Sequence, residues 1–187
     1  EKGYLFDLGI DVVLLQNRVR FSFDYYHKSS FDNIDRIKTS GIGGQMTKLV
    51  NYADMTTKGF DVMFDATPII YGDFSWKSTL TFGKSKSKIK KAQWQPRIFD
   101  LVRADGGNLV GYPVKSLFSI QYEGMTLDGI PRFINEYGNV SSAVYMQSIN
   151  VENLKYEGPV DPVYTGGFSN TFKWKSLALN LFVTFQA

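Results

Sequence analysis

Asp161 to Ala187 reads DPVYTGGFSNTFKWKSLALNLFVTFQA, and this stretch decides how the chain is read. It is two strands joined by a very tight turn. Phe168, Phe172 and Trp174 fall on one face of the first strand, and Ser169, Thr171 and Lys173 on the other. Leu177, Leu179, Leu181, Val183 and Phe185 fall on one face of the second, opposite Ala178, Asn180, Thr184 and Gln186. A period of two means strands whose two faces meet different surroundings. The apolar face is long and almost unbroken, with aromatic residues near the turn and at the far end. A hairpin in the wall of a membrane barrel has this make-up, apolar outside and polar inside, with aromatic girdles at both interfaces. A soluble antiparallel sheet with one buried face has the same alternation. The hairpin alone leaves the two readings level.

The design recurs. Tyr4, Phe6, Leu8, Ile10, Val12 and Leu14 alternate with Asp7, Gly9, Asp11 and Val13. After Gln16-Asn17, Val19, Phe21, Phe23 and Tyr25 alternate with Arg18, Arg20, Ser22, Asp24 and Tyr26. Each strand has about ten residues, enough to cross a bilayer when tilted. From Lys58 onward, Phe60, Val62, Phe64 and Ala66 oppose Asp61, Met63 and Asp65, and Pro68 is expected to end that strand, since it cannot donate to a ladder. Tyr71-Gly72-Asp73 makes a turn, and Phe74, Trp76, Leu80 and Phe82 oppose Ser75, Lys77, Thr79 and Thr81. Barrel hairpins are therefore expected at 4–28, 58–84 and 164–187, with loops at 29–57 and 83–163. The fold class is all-β and antiparallel.

Composition closes off other classes. The 187 residues hold no cysteine, so neither a disulfide framework nor a thiolate zinc site can form. His27 is the only histidine, which argues against histidine-based catalysis or a multi-histidine metal site. A net charge of +3 is too small to point to nucleic acid. No run of about 18 apolar residues occurs, so no transmembrane helix is expected. No signal peptide opens the chain, and the first residue lies in mid-pattern, so the chain reads as a piece of a larger protein.

Several blocks carry a resemblance. Asp161-Pro162-Val163-Tyr164-Thr165-Gly166-Gly167-Phe168-Ser169-Asn170-Thr171-Phe172 is similar to the C-terminal barrel of SusC/RagA-type TonB-dependent outer-membrane transporters, with Val160 where the family has Asn. Leu15-Gln16-Asn17-Arg18 with Asp24-Tyr25-Tyr26 resembles the family's turn and aromatic strand. Asn51 to Asp61 resembles a strand-opening block, departing at Ala53, Thr57 and Asp61. Gly111 to Met125 resembles a Gly-Pro-Gly-Ser block, with Lys115 for the second Gly and Ser119-Ile120 for Gly-Tyr. Asp128 to Phe133 resembles an Asp-Gly-Pro-Phe turn. The resemblance implies a segment of about six strands within a roughly 22-stranded plugged barrel. It also implies import of a large nutrient, glycan or peptide, across the outer membrane of a Gram-negative, Bacteroidetes-like cell. The implied partners are the rest of the barrel and its plug, TonB acting through the plug, a SusD-like surface lipoprotein and outer-membrane lipid. The plug lies outside this chain.

Turn parity adds an inference of its own. Short turns near Gln16, Gly72 and Lys175 belong on the periplasmic side of such a barrel. Residues 83–163 then form one extracellular excursion with no full crossing.

The chemistry-bearing patterns have plain readings. Gly41-Ile42-Gly43-Gly44 lacks the Gly-Lys-Ser/Thr and helix of a phosphate loop and reads as a flexible loop tip. Lys84, Lys86, Lys88, Lys90 and Lys91 read as a solvated rim facing water or lipid phosphates. Asp128, Asn135 and Glu136 lack the dense ligand alternation of a calcium loop. The pairs Asp7/Asp11 and Asp61/Asp65 share a face, but acids on a regular strand do so without any cleft. No catalytic residue, cofactor or metal is assigned. Loop aromatics Trp94, Tyr112 and Tyr137 are the candidates for substrate contact. The alternative is a soluble β-sandwich carbohydrate-binding module, which would have to cover its apolar faces.

Overall fold

The structure, a computed structural model, describes residues 2–38 and 47–187. In chain order these form β1 (Lys2–Leu14), β2 (Val19–Lys38), β3 (Thr47–Tyr71), β4 (Phe74–Ala92), a short helix α1 (Ile98–Leu101), β5 (Ser116–Ser119), β6 (Tyr122–Met125), β7 (Pro131–Ile134), β8 (Val140–Ser141), β9 (Lys155–Pro159), β10 (Tyr164–Trp174) and β11 (Leu177–Gln186). One sheet has six strands in the order β1-β2-β3-β4-β10-β11. β10 lies antiparallel between two neighbours. It pairs with β4 from Tyr164↔Lys84 to Trp174↔Phe74, and with β11 from Thr165↔Gln186 to Trp174↔Leu177. The described strands between Ala92 and Tyr164 stay out of this sheet and form two small ones, β5-β9 and β6-β7-β8.

The three middle strands run past their expected ends. β2, β3 and β4 have 20, 25 and 19 residues, so 29–38, 47–57 and 85–92 are strand where loop was expected. Ladder bonds need a partner backbone, not an apolar face. In β4 the period of two continues in charge, with Lys84, Lys86, Lys88 and Lys90 on alternate positions. Pro68 does not end β3, which continues to Tyr71. The Thr67 amide donates to the Arg18 carbonyl at 2.7 Å, and β2 begins only at Val19. Pro68 lies three residues before the end of β3, so its missing donor removes at most one bond from the last stretch of ladder. The Gly41-Ile42-Gly43-Gly44 cluster lies outside the described residues.

The chain divides into two compact units. The first comprises Tyr4–Lys28, Thr57–Lys86 and Pro162–Ala187. It is a sheet with hardly any interior. The second comprises Ser29–Thr56, Ser87–Asp161 and the residues before Tyr4. It has a conventional core. Ile98 and Leu101 of α1 are buried there, and Ser116 with its hydroxyl donating to the Pro113 carbonyl at 2.7 Å. Met55, Ala92, Trp94 and Val114 pack around buried Ala53 and Ile89. Arg97 ties α1 down. Its Nε donates to Asp100 Oδ2 at 2.9 Å and its guanidinium to Gln147 Oε1 at 2.5 Å. The hydrogen bond to Asp100, and then its charge, raise the Arg97 pKa.

Candidate functional site

The sheet unit presents two unlike faces. On the apolar face lie Phe64 of β3, Leu80 of β4 and Phe168 of β10, 41, 44 and 45% exposed. These strands are flanked on both sides, so an open sheet edge does not account for the exposure. Leu177, Leu179, Leu181 and Val183 extend the same surface across β11. Soluble monomers rarely leave contiguous apolar surface of this kind uncovered.

Aromatic rows bound this surface. At one level Phe23, Phe60, Phe82 and Phe185 follow one another, with ring centroids 6.1, 5.9 and 6.3 Å apart. Phe82 and Phe185 both stand opposite Gly166, one from each neighbouring strand. A Cβ on Gly166 would collide with the Phe185 ring and come within 2.9 Å of the Thr81 carbonyl, so glycine is what lets the two rings meet across β10. Tyr164 joins the row, 6.2 Å from Phe82. Toward the turns, Trp76 stacks on Phe172 at 5.9 Å, and Trp174 and Tyr71 are exposed. The two levels are six residues apart on β4, or about 20 Å at ~3.3 Å per residue. Asn170 is a polar intruder on this face. The Trp76 indole N–H donates to its Oδ1 at 2.9 Å, so the amide oxygen is not left bare.

The opposite face is polar and knitted across strands. Ser22 donates to Asp11, and Thr79 Oγ1 donates to Asp65 Oδ1 at 2.5 Å. Lys77 Nζ lies 3.5 Å from Asp65. The Asp61/Asp65 pair is thus partly committed to its own sheet, with Asp65 holding Thr79 and Lys77. The unit contains a concavity of about 410 Å³ whose lining includes Asp24, Asp61, Thr81, Thr165, Thr184 and Phe182. Gly83 opens the floor: a Cβ there would lie 2.5 Å from Asp61 Oδ1 and 3.1 Å from Thr165 Oγ1. Threonine hydroxyls, two carboxylates and the Phe182 ring suit a hydroxylated or amide-bearing ligand. Sequence reasoning passed over Phe182. The available signal was an aromatic at a polar-parity position, between Asn180 and Thr184.

The three loop aromatics lie in the second unit and are not brought together. Trp94 packs against the Ala53–Ile89 core. Tyr112 packs with Phe118 and Tyr156, at 5.1 and 5.0 Å between ring centroids. Tyr137 alone of the three is broadly exposed, at 74%. Asn135 and Glu136 are occupied with backbone. Asn135 Oδ1 accepts from the amides of Tyr137 and Asn139, and Glu136 Oε2 from that of Tyr145.

An antiparallel sheet with one exposed apolar face between aromatic rows, and a polar reverse, defines the wall of a transmembrane β-barrel. No family model matches the chain. It is 26% identical over 198 residues to TonB-dependent receptor P3 of Formosa agariphila, matching 97% of this chain and 20% of the receptor. It is 25% identical over 174 residues to TonB-dependent receptor P39 of the same organism, matching 81% of this chain and 16% of that one. Among solved structures, the RagAB peptide transporter matches 97% of this chain and 20% of its own, with a TM-score of 0.76 and 21% identity. The RagAB peptide importer in the closed-closed state gives 0.79 over 98% of this chain and 21% of its own, again at 21% identity. The chain is thus similar to a partial segment of TonB-dependent receptors, and its fold is that of a part of the RagAB transporter. It spans about a fifth of the length of the relatives it matches. These relatives are named as receptors and transporters, not as enzymes.

Proposed function

We propose that this chain forms part of the wall and rim of a TonB-dependent transporter in the outer membrane of a Gram-negative, Bacteroidetes-like cell. One observation carries the reading: the apolar face is exposed on strands that have neighbours on both sides, and aromatic rows bound it. Water disfavours such a face and lipid favours it. The soluble sandwich needs a second sheet over Phe64, Leu80 and Phe168, and their exposure speaks against it.

The finer assignments follow from the same reading. The apolar face meets lipid and the polar face the lumen. The hairpin turns near Gln16, Gly72 and Lys175 are periplasmic, and residues 83–163 form an extracellular excursion. The cargo is a large glycan or peptide, brought in with a SusD-like lipoprotein and driven by TonB through a plug. Lumen groups around the Phe182 concavity, and exposed Tyr137 on the excursion, are the contacts proposed for cargo. Six strands enclose no pore, since a barrel must close on itself, so this work belongs to the whole protein.

The test is made on the whole protein in its own cell. It is expected in the outer-membrane fraction, extracted only by detergent, and its loss should abolish TonB-dependent growth on one class of glycan or peptide. Recovery from the soluble fraction would sink the membrane reading. Unchanged growth on every such nutrient would sink the transport reading alone.

A further inference from the structure

The aromatic row at Phe23, Phe60, Phe82 and Phe185 ends the apolar belt, and the residues just past it on that face are basic. Side chains two apart on a strand share a face. Lys58 therefore shares its face with Phe60, and Lys84 and Lys86 share theirs with Phe82. Lys58 and Lys86 are exposed. Lys84 Nζ stands 5.0 Å from the centre of the Tyr164 ring, which itself belongs to the aromatic row. The other positions of this face and level hold Tyr25, His27 and Phe185, with no carboxylate. Among the described residues none of the three lysines is in a salt bridge; the acids that do pair are Asp65, Asp100, Asp105 and Glu157.

We propose that Lys58, Lys84 and Lys86 form a docking surface for the phosphate of an anionic lipid headgroup at the rim opposite the hairpin turns. The inference rests on the membrane reading above and adds what the membrane contributes at this level. Phe60 and Phe82 meet the acyl chains where they join the headgroups. Two to four residues further, at ~3.3 Å each, is the depth of the phosphates. Ammonium groups there face phosphate with no competing carboxylate, and the aromatic ring beneath Lys84 holds that side chain upright. A polybasic surface at a bilayer gains on the order of tenfold or less in affinity per lysine.

The experiment uses the whole protein carrying K84Q/K86Q, with K28Q/K173Q as a control that removes equal charge from the opposite face. Both are extracted in mild detergent, and anionic phospholipid retained per protein is counted by native mass spectrometry. Both are also reconstituted with phosphatidylglycerol. The wild type and the control should retain lipid equally. K84Q/K86Q should lose affinity on the order of tenfold or more, and the remainder should fall little further with added salt. Equal retention by all three proteins overturns the proposal, as does displacement of the lipid by millimolar inorganic phosphate, which would mark a plain anion site. K58Q alone, the milder change, should give a smaller loss if K84Q/K86Q fails to fold. Its full retention of lipid would also overturn the proposal. A protein absent from the membrane fraction altogether refutes the membrane reading instead, so the two failures are told apart.

Discussion

Leu101 and Leu80 are the same residue in opposite circumstances. Leu101, in the second unit, is 0% exposed, and Leu80, in the sheet unit, is 44% exposed. One unit hides its apolar side chains under a small helix and short strands. The other turns them outward and gathers hydroxyls and carboxylates on its reverse. Apolar surface has to leave water, and protein interior is only one of the places it can go. The difference between the units teaches which solvent each was built for.

The comparison breaks first at Leu101. Leu101→Ala should cost about 2–5 kcal/mol, because a fully buried leucine leaves a cavity. The loss should appear as faster hydrogen exchange at the Val102, Gly107 and Ser116 amides, all hydrogen-bonded nearby. Leu80→Ala in lipid should cost clearly less. Equal costs would mean that Leu80 is buried against protein after all.

A charge sharpens the contrast. Leu80→Arg should destabilise the barrel in lipid vesicles by about 2–4 kcal/mol, the cost of a cation on the lipid face near mid-depth. Ser169→Arg on the polar face should cost a fraction of that. A reversed order in urea unfolding from vesicles would exchange the assigned faces.

Two smaller substitutions probe the aromatic rows. Gly166→Val forces a side chain between Phe185 and the Thr81 carbonyl, and should cost about 1–3 kcal/mol as overpacking does. Trp76→Phe keeps the stack on Phe172 but removes the donor to Asn170, and should cost about 1 kcal/mol. Adding Asn170→Leu to it should recover the loss, since the unsatisfied amide goes with it.

The smallest effect is a pH dependence in the second unit. The Ser119 hydroxyl donates to Glu157 at 2.6 Å and Lys155 Nζ lies 3.1 Å away, and together they hold the carboxyl below its ordinary range. A lowered folded pKa contributes stability above the unfolded value, and that contribution is lost as pH falls through the folded one. The protection factor of the Val160 amide, bonded to the Lys115 carbonyl at 2.8 Å beside β5-β9, should fall slightly on acidification once the intrinsic exchange rate at each pH is divided out. Glu157→Gln should remove that dependence.

Much of the sheet was legible because a strand's period of two needs no tertiary information. Val183 and Phe168 declare their faces in sequence, and so do the hairpin turns at Gln16 and Gly72. Strand ends were not legible. Polar side chains at 29–38 and lysines at 84–90 look like loop, yet a partner strand holds their backbone. Pro68 misled for a related reason: the loss of one donor does not end a ladder whose other bonds are made, and β3 continues to Tyr71. The concavity was half legible. Asp24 and Asp61 were on the polar face from the outset, but Phe182 breaks the alternation and only register shows it beside Ser169. Trp94 and Tyr112 looked available on a loop and proved to be packing residues, since Ala53 and Tyr156, against which they pack, are far away in sequence.

By itself, then, the sequence determined which side chains share a face, that strands dominate the chain, and that one face must leave water. Those are local properties, set by alternation and by the chemistry of each side chain. Only the tertiary structure decided that β10 lies beside β4, that Gly166 lets Phe82 and Phe185 meet, and that Lys84 stands over Tyr164 just past an aromatic row. Each of these joins positions remote in sequence, and pairing between remote strands is set by which backbones the fold brings into register.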